Sequence, residues 1–257
     1  MAVQALFYAR ATPVSAQRHG DWCVDPSAKY KFAGGVNAVP LMAVEMAAAA
    51  REYTIVFAGS AEAVTPLVLL GVENHENVYL TEDGGWSAKY IPAVVRRYPF
   101  VFSKNEDGNT FTLCIDESWA GCNQEGRGQR LFDEQNKPTS YIENVLGFLK
   151  EFQRQSERTQ EYCNKLKALD LLDSSQLQFT IAGSAEKTLR GFMAVNRDKL
   201  KALSPQALSD LAQTDALELT YTHLLSMNNL SLMFERGAGR RGTPAPATGA
   251  APVGSSG

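Results

Sequence analysis

Apolar side chains recur at different intervals in the two halves of this chain. From Thr139 onward they are spaced three or four residues apart, as on one face of a long α-helix that could continue to residue 169. Before that point, short β-branched and aromatic runs alternate with glycine and polar turns, and residues 53–57 have the pattern of a buried strand. The sequence therefore predicts an α+β fold with a strand-rich N-terminal half and a helix-rich C-terminal half. The helical face carries Ile142, Val145, Leu146, Leu149 and Phe152.

A β-hairpin has the clearest local pattern in the N-terminal half. Residues 98–103 and 110–116 are rich in aromatic and β-branched side chains, and residues 106–109 form a polar turn between them. Two helices are also indicated by their boundaries. Pro40 fits the first turn of an alanine-rich helix that ends near Arg51. Asp215 can cap a last, mostly buried helix that carries apolar residues as far as Leu232.

A weak internal echo links two segments of the chain. Residues 53–62 and residues 177–186 both place a strand-like run before the sequence Ala-Gly-Ser-Ala-Glu. A structural duplication would give both strands equivalent places in the fold. The shared requirements of a strand that enters a turn would produce the same echo without duplication.

The part of the chain before the C-terminal change of composition fits one domain. Residues 1–236 fit a single α+β domain, and the change of period near residue 135 allows two subdomains, about 1–135 and 136–236.

Composition changes sharply near the C-terminus. After Gly237 the chain consists mostly of glycine, alanine, proline, serine and threonine. Such a segment cannot bury enough apolar surface to order itself. The sequence therefore predicts a disordered tail over residues 237–257.

Charge and cysteine usage argue against two classes of function. A net charge of -3 and a pI of about 5.7 give no general attraction to nucleic acid, which needs clustered lysine and arginine. The four cysteines form no C-x-x-C pair and the three histidines are scattered, so neither a metal site nor a cofactor is predicted. Buried free thiols in a reducing compartment are the expectation.

The N-terminal residues lack the pattern of an export signal. Residues 1–6 contain no lysine or arginine, and a secretory signal needs a cationic start before its apolar run. The longest apolar stretch, residues 39–50, is interrupted by Glu45 and is shorter than the roughly 20 residues that span a bilayer. We therefore expect a cytoplasmic protein without a transmembrane segment, which would reach the cell surface only through a dedicated export route.

Residues 86–100 are the most unusual segment, because they combine four aromatic residues, two prolines and two adjacent arginines. If the segment is extended, the two arginines point to opposite sides, and one can face a carboxylate or a partner. Aromatic and guanidinium groups dominate the energetics of many interfaces. The alternative is that the aromatic residues are core and the arginines form internal salt bridges. The candidate binding surface comprises Trp86, Tyr90, Arg96, Arg97 and Tyr98.

No catalytic residue is predicted. His223 and Ser226 lie about one turn apart on the last predicted helix, as a base and a nucleophile would, but no acid is spaced to orient the histidine. A structural histidine is the favoured interpretation. The paired carboxylates at 116–117 and 133–134 have the pattern of exposed turn acids, and residues 126–128 lack the lysine of a phosphate-binding loop.

Several motifs in order along the chain resemble the bacterial SapC family, over about residues 3–236. They are Asn-x-x-Pro-Leu at 37–41, the strand at 56–57, Gly71 with Asn77, the segment 86–100, Gly128-x-x-Leu131-Phe132, and Tyr221-x-His223-x-x-Ser226.

The resemblance implies little chemistry. The family takes its name from a protein linked to a paracrystalline surface layer, and other members lie in gene clusters with flavin-dependent tryptophan halogenases, cupin-like proteins and TonB-dependent receptors. We therefore expect a non-enzymatic accessory protein that binds a protein or peptide partner. The alternatives are an enzyme or enzyme subunit that works with the halogenase or cupin clusters, and a structural surface-layer component. Homo-oligomerisation stays open.

Overall fold

The computed structural model describes residues 6–60, 63–105, 110–180 and 186–240. Contacts divide the chain into two compact units, and each unit is assembled from separate segments. The first unit comprises Met1–Gly34, Leu80–Ser87 and Ala93–Arg154, and the second comprises Gly35–Tyr79, Ala88–Pro92 and Gln155–Gly257. The single domain over 1–236, with subdomains that meet near residue 135, stays a prediction.

Strands and helices are numbered in chain order within the described residues. The strands are β1 (Ala11–Pro13), β2 (Cys23–Val24), β3 (Ala38–Pro40), β4 (Ile55–Gly59), β5 (Val64–Leu69), β6 (Phe100–Lys104), β7 (Phe111–Asp116), β8 (Cys122–Asn123), β9 (Gln129–Arg130), β10 (Leu172–Thr180) and β11 (Glu186–Val195). The α-helices are α1 (Ala16–His19), α2 (Met46–Ala49), α3 (Ala93–Arg96), α4 (Ser140–Ala168), α5 (Arg197–Lys201), α6 (Pro205–Gln213), α7 (Ala216–Ser226) and α8 (Leu230–Arg240). Short 3-10 turns lie at Pro26–Ala28, Lys31–Ala33, Ala43–Glu45 and Met227–Asn229.

The first unit contains two small antiparallel sheets. One has the order β1-β7-β6 and the other has the order β8-β2-β9. Strands β6 and β7 form the predicted hairpin, with Phe100 opposite Ile115, and its predicted turn lies outside the described residues. The sheets and the start of α4 enclose one apolar core. Its buried members are Val24, Phe100, Ile115, Leu131, Phe132, Ile142 and Leu149.

Helix α4 confirms the 3.6-residue period. Ile142 and Leu149 are buried in the core of the first unit, and Val145 and Leu146 pack against that core. Beyond Arg154 the helix belongs to the second unit, where its buried residues follow the same spacing. These residues are Thr159, Tyr162, Cys163 and Leu166.

The second unit is built on a five-stranded antiparallel sheet with the order β10-β11-β4-β5-β3. The central strand β4 starts with Ile55, Val56 and Phe57, whose side chains are fully buried, and it confirms the strand predicted at 53–57. Helices and antiparallel sheets together confirm the α+β class. The C-terminal half is rich in helices, although it also contains the hairpin of β10 and β11.

Two predicted helices are wrong in extent. The alanine-rich helix expected from Pro40 to Arg51 is limited to a 3-10 turn and α2, because Pro40 instead ends β3. A proline is tolerated there because β3 is the last strand of its sheet in the described part of the chain. The last helix is divided into α7 and α8 by a 3-10 turn, where the Asn229 amide donates to the carbonyls of Ala50 and Tyr53.

Both copies of the internal echo begin a β-hairpin. The first copy covers β4, which pairs with β5, and the second covers the end of β10, which pairs with β11. In the first copy Ala58 and Gly59 are the last residues of β4, and residues 61–62 and 181–185 of the two copies lie outside the described residues. This placement agrees with a shared strand-to-turn requirement, and duplication stays a prediction.

The C-terminal helix α8 continues through Arg240, three residues past the start of the predicted tail at 237. The rest of that tail lies outside the described residues. In the described part of the chain, no helix combines the length and the apolar character that crossing a bilayer requires.

Gly128 provides a direct test of the β8-β2-β9 sheet. Its φ is +86°, and a Cβ atom there would lie 2.2 Å from the Val24 carbonyl oxygen. Gly126 has a similar φ of +76° but faces open space. We expect Gly128→Ala to lower the free energy of unfolding by about 3 kcal/mol, and Gly126→Ala by about 1 kcal/mol, in urea denaturation followed by tryptophan fluorescence. Equal losses would mean that the close backbone approach at Gly128 is absent.

Candidate functional site

Aromatic side chains from five separate stretches of the chain meet in the first unit. Their ring contacts form a continuous cluster, and six of its seven members are only partly buried. We call this set the aromatic cluster. It comprises Phe7, Tyr8, Tyr30, Phe32, Trp86, Tyr98 and Trp119.

Phe32 and Tyr98 form the centre of the aromatic cluster. Their rings are stacked, with centroids 4.0 Å apart. Tyr8 and Trp119 present their edges to Tyr98 at 5.1 and 5.8 Å, which is the T-shaped geometry that aromatic quadrupoles favour. Trp86 joins the cluster through Tyr30, at 5.8 Å. Two residues of the 86–100 segment, Trp86 and Tyr98, are thus linked through aromatic contacts.

Local backbone structure positions the central ring. The Phe100 N–H donates to the Arg97 carbonyl and closes a turn between α3 and β6, which contains the cis peptide bond before Pro99. Gly121 makes room for the indole of Trp119, since a Cβ there would lie 2.5 Å from that ring. The hydroxyl of Tyr98 donates a hydrogen bond to the carboxylate of Asp116 at 3.4 Å.

Asp116 is fully buried at the end of β7, unlike the exposed turn acid expected from the sequence. Its carboxylate accepts the Ala9 N–H at 2.7 Å and both the N–H and the hydroxyl of Ser118. These donors compensate the buried charge. The neighbouring Glu117 pairs with Arg18 and His19, and the Arg18 guanidinium holds the pKa of Glu117 at about 2.

The two adjacent arginines have different environments. The segment is helical in α3 rather than extended, yet the residues still face different ways: Arg96 is exposed and Arg97 is only 8% exposed. Arg96 lies over the ring of Phe148, 5.3 Å from its centroid. The Arg97 guanidinium lies over the rings of Phe152 and Tyr8, 4.6 and 5.9 Å from their centroids, and burial lowers the pKa of Arg97.

Tyr90 belongs to the second unit, apart from the other four candidate residues. Its phenol donates to Glu45 at 2.7 Å, and its carbonyl accepts the hydroxyl of Tyr53. Its N–H donates to the carboxylate of Glu52. These three contacts give Tyr90 a structural role within its own unit.

His223 and Ser226 connect α7 to the sheet of the second unit. The Nε2 atom of His223 accepts the Val195 N–H at 3.1 Å, so its Nδ1 carries the proton and donates to the Ile55 carbonyl at 2.9 Å. The Ser226 hydroxyl accepts the Ile55 N–H and donates to the His223 carbonyl. Burial lowers the pKa of His223 to about 4. Both side chains are engaged by backbone groups.

The four cysteines are free thiols, and three of them are buried. Burial raises the pKa of Cys122 and Cys163 to about 12, which leaves both protonated at neutral pH. Within the described residues, no three side chains of the histidine, cysteine or acidic types lie close enough together to hold a metal ion.

Sequence reasoning missed five of the seven aromatic residues of the cluster. Phe7 and Tyr8 are adjacent, and Tyr30 and Phe32 flank Lys31, so the local density of aromatic residues could have marked both segments. Their meeting with Tyr98 depends on tertiary contacts over more than sixty residues of chain.

These features define an α+β protein that presents a partly exposed aromatic cluster beside a buried arginine in one of its two units. A family model described as SapC matches residues 14–233. Because this match covers most of the chain, the protein belongs to the SapC family. No curated protein and no solved structure matches the chain.

The buried imidazole of His223 predicts a pH dependence of stability. Its pKa in the folded protein is about 4, below the value of 6.5 for an unperturbed histidine. The unfolded chain therefore takes up the proton first as pH falls, so stability is full above pH 6.5, declines towards pH 4 and is then constant. The total loss from this group is about 3 kcal/mol.

Urea denaturation at several pH values, with His223→Gln as the control, isolates this contribution from that of the carboxylates. The gap in unfolding free energy between the two proteins should narrow from pH 7 to pH 4. A constant gap would contradict a neutral, buried His223.

Tyr90→Phe tests the structural role of that residue. Loss of the hydrogen bond to the buried Glu45 should lower the free energy of unfolding by about 1–2 kcal/mol in urea denaturation. The exposed Tyr221 supplies a control, because Tyr221→Phe should change stability by less than about 0.5 kcal/mol. Equal losses of unfolding free energy in Tyr90→Phe and Tyr221→Phe would contradict a structural role for the Tyr90 hydroxyl.

Proposed function

We propose that this SapC-family protein is a non-enzymatic accessory protein that binds a protein or peptide partner through the aromatic cluster. The observation that carries the proposal is the partial exposure of six of the seven clustered rings. The candidate surface predicted from the sequence is refined accordingly. The aromatic cluster includes Trp86 and Tyr98, and Arg97 contacts it through Tyr8. The adjacent Arg96 is exposed.

The energetics of association favour such a surface. Large aromatic side chains bury much apolar area with few rotatable bonds, and tyrosine and tryptophan also offer a polar group at the edge of an interface. The pKa of Tyr8 is raised to about 12 by burial, so its phenol stays neutral and can face an apolar partner group without a charge. Edge-to-face contacts within the cluster hold the rings in place before a partner arrives, which reduces the entropy lost on binding.

The alternative functions have weaker support. The enzyme, enzyme-subunit and surface-layer hypotheses draw on the family resemblance alone. His223 and Ser226, which are spaced as a base and a nucleophile would be, are engaged by backbone groups of the second unit. Cytoplasmic location and homo-oligomerisation stay predictions.

Affinity purification of the tagged protein from its own host, with mass spectrometry of the co-purifying proteins, tests the proposal. Trp86→Ala and Arg96→Ala should each reduce recovery of one specific partner by about tenfold, since a hot-spot truncation costs more than about 1 kcal/mol. Tyr221→Ala is a matched control, because it removes an exposed aromatic side chain from the second unit.

Circular dichroism establishes that all the variants are folded. Unchanged recovery with Trp86→Ala and Arg96→Ala would contradict a binding surface at the cluster. The same conclusion would follow if Tyr221→Ala caused an equal loss.

A further inference from the structure

The two edges of the five-stranded sheet in the second unit differ in their protection against another strand. At one edge, β3 ends in Pro40, which has no N–H to offer to a neighbour. At the other edge, β10 is nine residues long and contains no lysine, arginine or proline. Its only charged side chain, Asp173, is paired with Lys199. Lysine and proline are the residues that usually keep an edge strand from pairing with another chain, so β10 lacks this protection.

Every second residue of β10 directs its backbone away from the sheet. The Asn196 N–H donates to the Leu171 carbonyl, so the odd-numbered residues of β10 face β11 in the same ladder. The N–H and C=O groups of Leu172, Ser174 and Gln176 therefore point outward. Among the described residues, no other backbone segment pairs with them.

The irregularity in this ladder lies on β11 rather than on β10. Between the pairs Ser175–Phe192 and Leu177–Leu189, β11 has two residues where β10 has one, and Gly191 there has a φ of +87°. A bulge on an edge strand bends that strand away from a new partner. Because the extra residue is on the inner strand, β10 keeps the regular spacing of its outer groups.

The hairpin of β10 and β11 extends beyond the strand that supports it. Met193 lies opposite Phe57, and this register places Gly59, the last residue of β4, opposite Gly191. The pairs that run from 177–189 to 180–186 therefore form a two-stranded ribbon within the described part of the chain. A two-stranded hairpin is marginally stable in water and is normally supported by a third strand. A strand added beside β10 would support the ribbon over its full length.

We infer that β10 pairs with β10 of a second copy of this protein, antiparallel, about a two-fold axis at Gln176. In this register residue 172 lies opposite residue 180 of the copy, so all nine residues pair and outward groups meet outward groups. Asp173 lies opposite residue 179, so like charges do not face each other. The pairing joins two five-stranded sheets into one continuous sheet. It involves no residue of the aromatic cluster and is independent of the proposed function.

Sedimentation velocity of the full chain at increasing protein concentration tests this inference. The wild type should pass from the monomer mass of 28.1 kDa to twice that mass. Gln176→Lys should raise the dissociation constant by about tenfold or more, because two lysines would face each other at the axis. Gln176→Thr should dimerise like the wild type. Ser156→Lys is the matched control, because it adds the same charge at an exposed position of α4 in the second unit.

Two further variants test the backbone pairing itself. Ser174→Pro removes an outward N–H and leaves the ladder with β11 intact, so it should weaken the dimer without changing the circular dichroism spectrum. Gln176→Cys should give a disulfide-linked dimer under mild oxidation, since Cα atoms of a hydrogen-bonded antiparallel pair lie about 5.5 Å apart. Ser156→Cys should stay monomeric under the same conditions.

Three results would overturn the inference: a wild type that stays monomeric up to its solubility limit, equal dimerisation of Gln176→Lys, or equal disulfide yields from Gln176→Cys and Ser156→Cys. Hydrogen exchange of the β10 amides gives a further readout. These amides should become protected as the concentration of the protein alone rises. Protection that requires a different protein would assign the edge to that protein and overturn the assignment to a second copy.

Discussion

The buried carboxylate of Asp116 organises the site on which the proposed function depends. The carboxylate accepts hydrogen bonds from Ala9, Ser118 and Tyr98, and the backbone N–H of Asp116 donates to the Pro99 carbonyl. One charged group thereby holds the N-terminal segment and the turn after α3 against the end of β7. A buried carboxylate that lost these donors would carry a large desolvation penalty. The hydrogen bonds therefore hold the ring of Tyr98, and the backbone of Ala9 next to Tyr8, in place around Asp116.

Local periodicity was sufficient to predict several elements but not the site. Helix α4 and the β6–β7 hairpin follow from spacings within a single segment, where a period of 3.6 or 2 decides which side chains are buried. The helix expected from Pro40 was wrong because Val39, Leu41 and their neighbours are buried throughout, and a continuous apolar run has no period that separates a strand from a helix. The aromatic cluster joins distant segments, which no local pattern encodes.

The segment 86–100 is continuous in sequence but serves several structural purposes. Tyr90 is held by three hydrogen bonds in the second unit, whereas Trp86 and Tyr98 belong to the aromatic cluster of the first. Between them, α3 ends at the exposed Arg96, and the buried Arg97 follows directly. These fifteen residues are therefore rich in aromatic residues, prolines and arginines because some of them pack in the interior, some form a turn and some are exposed. They do not form one contiguous binding motif.

The interleaving of the two units has a consequence for how this protein can be synthesised and inherited. Neither unit is encoded by an uninterrupted stretch of chain, and the first is complete only when Arg154 has been made. A nascent chain on the ribosome therefore holds an unfinished first unit while most of the second is still untranslated. A single recombination junction cannot transfer either unit intact to another gene, because each unit is built from separate segments of the chain.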